Sequence, residues 1–423
     1  MNEIKVSVKN LQIGNYIRLP LTWHKHPFLL SNFMIKNEEQ IQIIQQLELD
    51  YVFLVVEKSE TLLKQKEPEQ IIQLSEESSH DDINDLHGKM HSEKLSRIEQ
   101  LQKYKRSQKR AEEAFKHSFA QMRGLINKLQ TRPLSAIREA QELVDYISEQ
   151  LKQADQITLH LMDDSTREEG LYYHSLNVAT LSMLMAKQCD KSQDEIKLIG
   201  MAAIFHDIGK IKLPTQILRK TEPLTKPEEN LYQMHPIYGL KLLDLMNKFP
   251  SRAKEIILKH HERLDGSGYP KGVAGDQIDD LTQLLSVIDE YDYICNPLLR
   301  AKQPVPPYTA LSFLFKHRSQ KLNKRYIQLL IKQLGIYPPG CVVELSNGHV
   351  GLIMSVNSER LLYPKLMIYD PHVPRDKAAI IDLEHVSLSI KRALQPSRLP
   401  KEIFNYLSPR TCTSYFFDAV GGE

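Results

Sequence analysis

The chain has 423 residues, which corresponds to two or three domains at about 100–200 residues each. Its 55 Lys and Arg residues nearly balance its 53 Asp and Glu residues, so no broad positive field for binding a nucleic-acid backbone is expected. Apolar residues make up 41% and charged residues 26%, an ordinary globular composition that excludes a fibrous or largely disordered chain. The composition predicts a folded protein whose partners do not include a nucleic acid polymer.

The sequence shows no segment typical of membrane insertion or secretion. Apolar runs are short, such as YVFLVV from Tyr51, whereas a membrane span needs about 18 apolar residues. The first residues, MNEIKVSVKN, lack the apolar region of a signal peptide. The cysteines are scattered without the spacing of a disulfide framework or a zinc knuckle. We therefore expect a cytoplasmic protein without a membrane span.

Residues 1–59 mix strand and helix signals. IKVSV alternates, NYIRLPL and YVFLVV are typical of strands, and NEEQIQIIQQLE has helical periodicity. These patterns predict a small N-terminal α/β or α+β domain. Residues 60–92 are rich in Glu, Ser, Lys, Gln and Asp and poor in aromatic residues, so we predict a charged linker there.

Residues 93–150 are predicted to form a helical connector with an apolar seam. The seam follows a 4-3-4-3 spacing through Phe115, Phe119, Met122, Ile126 and Leu129. Two interpretations remain open: the seam packs within its own chain, or it pairs two chains as a homodimer through residues 93–130. Packing within the chain is favoured because the seam covers only about two heptads.

Helical patterns continue through residues 151–335 and then give way to strands. Within residues 336–423, CVVELS and HVGLIMSV flank Asn347-Gly348, the pattern of a type I′ hairpin, and LMIYD is a candidate third strand. The predicted fold is therefore multidomain, with a small N-terminal α/β or α+β domain, an all-α core over residues 151–335 and a small β-rich C-terminal region.

Two dipeptides of the helical region combine residues that bind divalent metals. His206 and Asp207 end an apolar helix in AAIFHDIGKIKLP, and His260-His261 lies in ILKHHERLDGSGYP. Adjacent helical side chains diverge by about 100°, so one ion rarely binds both, whereas a carboxylate can bridge two ions. The spacing therefore favours a dinuclear site.

Three single residues are candidates to complete the site. His174 and His235 have apolar neighbours, and Asp289 lies in the apolar run LLSVIDEYD, where an unpaired carboxylate would be costly. A lone histidine in such a setting is more often a hydrogen-bonded core residue, so only the conjunction of these motifs supports a metal site. Nitrogen and oxygen ligands without thiolate suit Fe, Mn, Co, Ni or Zn.

The motifs HDIGK, HPIYG, HHERLDGSGYP and VIDEYD occur in the order and spacing of the HD-GYP family, which the sequence resembles. This family comprises bacterial phosphodiesterases of cyclic di-GMP within the HD phosphohydrolase superfamily. The resemblance covers residues 171–295 closely. The first sixty residues also resemble a small domain of unknown role that often precedes HD-GYP domains. The resemblance implies an all-helical catalytic core and second-messenger signalling in the cytoplasm.

The resemblance implies a complete set of metal ligands, with Asp207 as the bridging, catalytic carboxylate: His174, His206, Asp207, His235, His260, His261 and Asp289. It implies two divalent metal ions as cofactors, with Fe or Mn preferred over Zn, Co or Ni. Lys210 is implied to be catalytic and to lie near the scissile phosphate, where a cation offsets developing charge.

The signature loop of the family falls on Gly268, Tyr269 and Pro270, and Tyr269 is a candidate substrate-binding residue. On sequence grounds the loop either shapes the pocket rim, docks a partner or is a purely structural turn. The implied reaction is attack of a metal-activated hydroxide on phosphorus of cyclic di-GMP, which gives pGpG and, after a second cut, GMP.

The sequence departs from the family at three places, one of which is Gln283, where an arginine is usual. Gly170 stands where some members carry the glutamate of a third metal site, so we predict two ions rather than three. The basic stretch expected after the last metal ligand is replaced by ICNPLLRAKQPVP, with Leu298 and Ala301 at the basic positions. Arg300 and Lys302 are candidate substitutes for binding substrate.

Two alternatives to cyclic di-GMP hydrolysis remain at this point. The chain could be a catalytically weak receptor or interaction protein that binds nucleotide, a diguanylate cyclase or another signalling protein. It could also hydrolyse another cyclic dinucleotide, such as cyclic GMP-AMP. The altered basic stretch is the feature that keeps both alternatives open.

Overall fold

The structure is a computed structural model that divides into two compact units, residues 1–105 and 106–423, which are described separately. It describes residues 3–21, 26–28, 31–47, 49–60, 80–129, 131–153, 156–162, 170–244, 249–299, 302, 304–356, 361–371, 373, 375, 378, 380–386, 388–407 and 414–420. Within these residues no helix combines the length and apolar character required to cross a membrane.

The first unit contains a four-stranded antiparallel sheet and one short helix. The strands are β1 (Glu3–Ser7), β2 (Tyr16–Arg18), β3 (Asn32–Met34) and β4 (Tyr51–Val55), in the order β1-β4-β2-β3. Helix α1 (Glu38–Gln46) begins at Asn37, whose side chain caps the first turn by accepting from the N–H of Gln40. The buried side chains of Ile17 and Ile44 join the two layers in one apolar core.

Helix α2 (His80–Lys128) begins earlier than the composition suggested. Residues 80–92 were predicted to be linker and are helical, because Leu, Met, Lys and Glu favour a helix. The remainder of that predicted linker, residues 61–79, lies outside the described part. Along the seam, Met122 and Leu129 are buried, and Phe119 stacks on Tyr173 at 3.9 Å between ring centroids. The seam therefore packs within its own chain.

The core of the second unit is helical. Its centre is α4, in which every residue from His174 to Ala186 is buried, as expected for a helix surrounded by others. The helices, in chain order, are α3 (Pro133–Gln153), α4 (Gly170–Gln188), α5 (Gln193–Phe205), α6 (Thr215–Arg219), α7 (Lys226–Tyr232), α8 (His235–Asp244), α9 (Ser251–Lys259), α10 (Asp280–Cys295), α11 (Pro307–His317) and α12 (Lys324–Leu334).

Strand β5 (Gln156–Met162) interrupts the predicted all-helical region between α3 and α4. It pairs in antiparallel register with β11 (Ser414–Val420), near the end of the sequence. Phe416 of β11 is buried in the core of the helical region, where its ring meets that of Phe115 at 5.8 Å. A pairing over such a sequence distance leaves no local signal in either strand.

The C-terminal sheet confirms the predicted β-rich region. Its strands are β6 (Val342–Leu345), β7 (Val350–Ser355), β8 (Lys365–Ile368), β9 (Ile380–Asp382) and β10 (Ile390–Leu394), in the antiparallel order β10-β6-β7-β8-β9. Gly348, at the predicted turn between β6 and β7, has a φ of +79°, a conformation that favours glycine. Helix α13 (Lys401–Leu407) packs on this sheet through Leu407.

Candidate metal centre

Helices α4 and α10 contribute one face of a buried cluster of histidines and aspartates. His174 of α4 and Asp289 of α10 are each at most 3% exposed. Nε2 of His174 lies 3.2 Å from Oδ1 of Asp289 and 3.1 Å from Nε2 of His206. Three predicted ligands from different parts of the chain therefore meet at this face.

The His206–Asp207 dipeptide lies where α5 ends and a short 3-10 helix (Ile208–Lys212) begins. This helix can approach α8 only because residue 209 is glycine. A Cβ on Gly209 would lie 1.9 Å from the carbonyl oxygen of His235. The close approach brings Oδ1 of Asp207 to 3.2 Å from Nε2 of His235.

His235 and the His260–His261 dipeptide form the other face. His235 begins α8, and the dipeptide directly follows α9. Nε2 of His235 lies 3.4 Å from Nε2 of His260, and Nδ1 of His261 lies 3.6 Å from Oδ2 of Asp289. The structure thus brings together all seven positions predicted as metal ligands.

Hydrogen bonds at the outer nitrogens orient three of the imidazoles toward the centre. Nδ1 of His206, His235 and His260 donates to the carbonyl oxygen three residues earlier, at 2.7, 2.8 and 2.6 Å respectively. In the neutral ring, Nε2 then carries a lone pair and no proton. Three such lone pairs converge inside the cluster, an arrangement typical of metal-ligating histidines.

Two buried atoms of the cluster have no hydrogen-bond partner. They are Oδ1 of Asp207 and Nε2 of His261. Oδ1 of Asp207 lies near Nε2 of His235, but that nitrogen has no proton to donate when Nδ1 bonds the main chain. Burying such atoms is costly unless a ligand satisfies them, so the residues present fit a divalent cation.

Asp207 presents one oxygen to each of two groups of candidate ligands, and His206, His260 and Asp289 form a third group that links them. Oδ2 of Asp207 lies 3.3 Å from Nε2 of His174 and 3.5 Å from Nε2 of His206, whereas its Oδ1 faces His235 and His260. Within each of the following groups the candidate ligand atoms lie within 4.8 Å of one another: Asp207, His235, His260 and His261, and also His174, His206 and Asp207. A carboxylate with one oxygen in each group has the geometry of a bridging ligand.

The electrostatics favour charged carboxylates and, at His260, a neutral imidazole. At His174 burial alone would lower the pKa, but hydrogen bonds to Asp207, Asp289 and Asp292 outweigh it and raise that pKa well above its ordinary value. Burial alone would raise the pKa of Asp207, but Lys210 and His206 outweigh it and hold that pKa well below its ordinary value. Burial lowers the pKa of His260 to about 3, and the neighbouring His206 acts in the same direction. Asp207 and His260 are therefore in the protonation state that binds a metal.

Lys210 lies inside the cluster. Its side chain is buried, and its ammonium donates to Oδ2 of Asp207. The same ammonium lies 5.3 Å from the centre of the Tyr232 ring. The Lys210 ammonium is thus held against the Asp207 carboxylate.

The signature loop is anchored next to the His260–His261 dipeptide. A Cβ on Gly268 would lie 2.5 Å from the Cα of Glu262, so only glycine permits this approach. The buried carboxylate of Glu262, which the sequence did not single out, accepts from the N–H groups of Lys271 and Val273 at 2.8 and 3.1 Å. The loop places the ring of Tyr269 at 4.6 Å from that of His261.

Of the two predicted substitutes for the basic stretch, the structure describes Lys302. Arg300 lies outside the described part of the chain. The ammonium of Lys302 lies 4.5 Å from the centre of the Tyr293 ring. Two of the departures from the family adjoin each other, since a Cβ on Gly170 would lie 3.3 Å from Cδ2 of Leu298.

Two residues missed by the sequence analysis support His174. Asp292 accepts from Nδ1 of His174 at 2.5 Å, and the side-chain amide of Asn177 donates to the other oxygen of Asp292. Each follows a predicted ligand by three residues, so each lies on the same helix face as that ligand. That spacing was a usable signal, because VIDEYD and HSLN both show it.

Two family models match the chain. Residues 3–140 match a domain of unknown function, DUF3391, and residues 128–325 match the HD domain. The second match spans every predicted metal ligand.

Relatives of known name include several phosphodiesterases. The chain is 31% identical to cyclic di-GMP phosphodiesterase PA4108 from Pseudomonas aeruginosa, over 54% of this chain and 55% of that protein. It is 37% identical to the cyclic di-GMP phosphodiesterase response regulator RpfG from Xanthomonas campestris, over 35% and 39%. It is 31% identical to 3'3'-cGAMP-specific phosphodiesterase 3 from Vibrio cholerae, over 39% and 35%. The chain thus spans about half or less of the length of these relatives.

Proposed function

Residues 128–325 belong to the HD domain family, and on that premise we propose that the chain is a metal-dependent phosphodiesterase of cyclic di-GMP. The observation that carries this proposal is the convergence of imidazole lone pairs on both oxygens of a buried aspartate. Relatives named cyclic di-GMP phosphodiesterases supply the substrate class. The proposed first product is the linear dinucleotide pGpG.

We propose that two divalent ions bind, one on each side of Asp207. His174 and His206 belong to one side, and His235, His260 and His261 belong to the other, with Asp289 reaching both. Divalent ions held there would acidify a water molecule and neutralise the phosphoryl oxygens during attack on phosphorus. A ligand set of nitrogen and oxygen suits Fe or Mn, and also Zn, Co or Ni.

The chain's own residues supply the other parts of the proposed reaction. Lys210, held by Asp207, places a positive charge beside the reaction centre, where it would stabilise negative charge that develops on the phosphoryl oxygens. Tyr269, fixed against His261 by the anchored loop, offers an aromatic surface next to the centre for contact with substrate. Lys302 is proposed to bind substrate at the periphery.

The choice among cyclic dinucleotides is the second candidate function. The relative from Vibrio cholerae that is specific for 3'3'-cGAMP favours testing this substrate. A pure receptor role is less well supported, because binding nucleotide alone does not need a complete set of metal ligands. A homodimer through residues 93–130 would have to use faces of α2 other than the seam, since the seam packs within the chain.

The test is anaerobic purification, metal analysis and incubation with cyclic di-GMP and with 3'3'-cGAMP in parallel. We expect about two ions per chain and the formation of pGpG, resolved by chromatography. Turnover of 3'3'-cGAMP alone would move the proposal to that substrate. Metal-loaded protein that leaves both dinucleotides intact would refute the proposed activity.

A further inference from the structure

We propose that Asp292 is a positioning residue that makes the His174 side of the centre the tighter of the two ion sites. This inference rests on the proposed dinuclear centre and adds a difference between its two halves. It concerns a residue that contacts a candidate ligand and is not itself one of the seven predicted ligands.

The imidazoles of the cluster differ in the kind of group that orients them. His206, His235 and His260 donate Nδ1–H to main-chain carbonyls, whereas His174 meets a carboxylate oxygen at 2.5 Å. A hydrogen bond to a carboxylate is about twice as strong as one to a neutral acceptor. It increases the electron density at the far nitrogen, so Nε2 of His174 becomes the stronger donor to a metal.

Both carboxylate oxygens of Asp292 are engaged by protein groups. Its side chain is 0% exposed, and Oδ2 faces His174. Its Oδ1 accepts from the amide of Asn177 on α4 and, at 2.9 Å, from the amide of Asn296 at the end of α10. Both oxygens are thus occupied by protein donors, and Asp292 acts on an ion only through His174.

The two sides of the centre also differ in the negative charge near the ion. On the His174 side, Asp289 presents Oδ1 at 3.2 Å from Nε2 of His174, and Asp292 stands directly behind that ring. The ammonium of Lys210 offsets part of the charge of Asp207 there. The other side contains three imidazoles, one shared oxygen of Asp207 and Oδ2 of Asp289 at 3.6 Å from Nδ1 of His261. Asp289 thus serves both sides, and Asp292 is the carboxylate that distinguishes them. A divalent cation is held more firmly where the nearby negative charge is larger.

The test compares the full-length protein with Asp292→Asn, a variant that keeps the side-chain shape and removes its charge. Both are loaded with Mn²⁺, and binding is followed by metal analysis, competition with a chromogenic chelator and electron paramagnetic resonance. In the parent we expect two resolved binding steps, with the six-line signal of an isolated ion at one equivalent of Mn²⁺ and a spin-coupled pair at saturation. In the variant we expect the tighter step to weaken about 10–100-fold, so that the two steps move together.

The matched control is Glu290→Gln, which removes the same charge from the same helix. Glu290 follows the predicted ligand Asp289 in the chain, but its carboxylate pairs with Arg263 and Arg318 at 2.7 and 3.0 Å. We expect this variant to bind both ions as the parent does. If Asp292→Asn does not fold, Asn296→Ala removes one hydrogen bond from Asp292 and should weaken the same ion by a smaller factor.

The outcomes separate this inference from the proposed function. Two ions that bind Asp292→Asn with parental affinity, or that weaken equally, would overturn the inference and leave the phosphodiesterase proposal intact. Equal weakening of the same ion in Glu290→Gln would also overturn it, because the effect would then be one of helix charge alone. A parent protein that binds no Mn²⁺ would overturn both.

Discussion

The helical core and the C-terminal sheet differ in the burial of their charged side chains. In the core, Asp207 and Asp292 are completely buried. In the described part of the sheet no charged residue is buried, and Glu344 pairs with Lys391 and Arg392 at the surface. Because a buried charge costs several kcal/mol unless it is compensated, such charges persist where they serve function. We therefore expect the buried charges of the helical core to contribute to chemistry and the surface charges of the sheet to contribute to solubility and folding.

The most severe test of this distinction is Asp207→Ala. The substitution removes the oxygen atoms that face both sides of the cluster and leaves the Lys210 ammonium without its partner. We expect metal affinity to fall by more than about 100-fold, the upper end for residues that merely support a ligand, and hydrolysis to stop. Metal analysis and chromatography of pGpG measure both. Retention of two ions would contradict the bridging role.

The next largest effect is expected for Lys210→Ala. Lys210 supplies a positive charge and no metal ligand, so the variant should keep both ions and lose about 10²–10³-fold in kcat. The measurement pairs metal content with steady-state kinetics on the same preparation. Metal loss equal to that of Asp207→Ala would show that the ammonium chiefly maintains the ligand geometry.

A moderate effect is expected for Gly268→Ala. The added Cβ would lie 2.5 Å from the main chain at His261 and Glu262, so the loop must shift and carry Tyr269 with it. A displacement of about 1 Å near a reaction centre can cost up to about 10²-fold, and we expect about a 10-fold decrease in kcat/KM, with metal content unchanged.

The control for that substitution is Gly124→Ala in α2, where a Cβ would meet no atom within 4 Å. Alanine is favoured over glycine inside a helix by about 0.5–1 kcal/mol, so this variant should be slightly more stable and fully active. Parental activity in Gly268→Ala would show that the loop tolerates displacement and that Tyr269 is not needed in its observed position.

The sequence predicted more of the site than of the fold around it. The seven ligand positions follow from the resemblance to the HD-GYP family, and residues 128–325 match the HD domain. The structure brings the seven side chains together. The β5–β11 pairing was missed because it joins distant segments, so neither strand contains local evidence of the other. Glu262 was missed because its role depends on a loop that folds back toward it.

The smallest expected effect comes from Glu344→Gln in the C-terminal sheet. Lys391 and Arg392 lower the pKa of the Glu344 carboxyl, so the pairs stabilise the fold above the ordinary carboxyl pKa and lose that effect as pH falls. The melting temperature should decrease by no more than about 2 °C at pH 7. The difference from the parent should shrink at acidic pH and vanish once the pH lies below the lowered pKa of the Glu344 carboxyl in the folded parent, where that carboxyl is protonated.

The same variant should retain full metal content and parental hydrolysis, because its charge is already satisfied at the surface. Thermal melts at pH 7 and at acidic pH, with metal analysis at pH 7, test these expectations together. A loss of metal or of activity in Glu344→Gln would break the contrast between the two regions, since the sheet would then contribute to the chemistry of the core. Parental metal content and hydrolysis in this variant would support the expectation that the buried charges of the helical core carry out the chemistry.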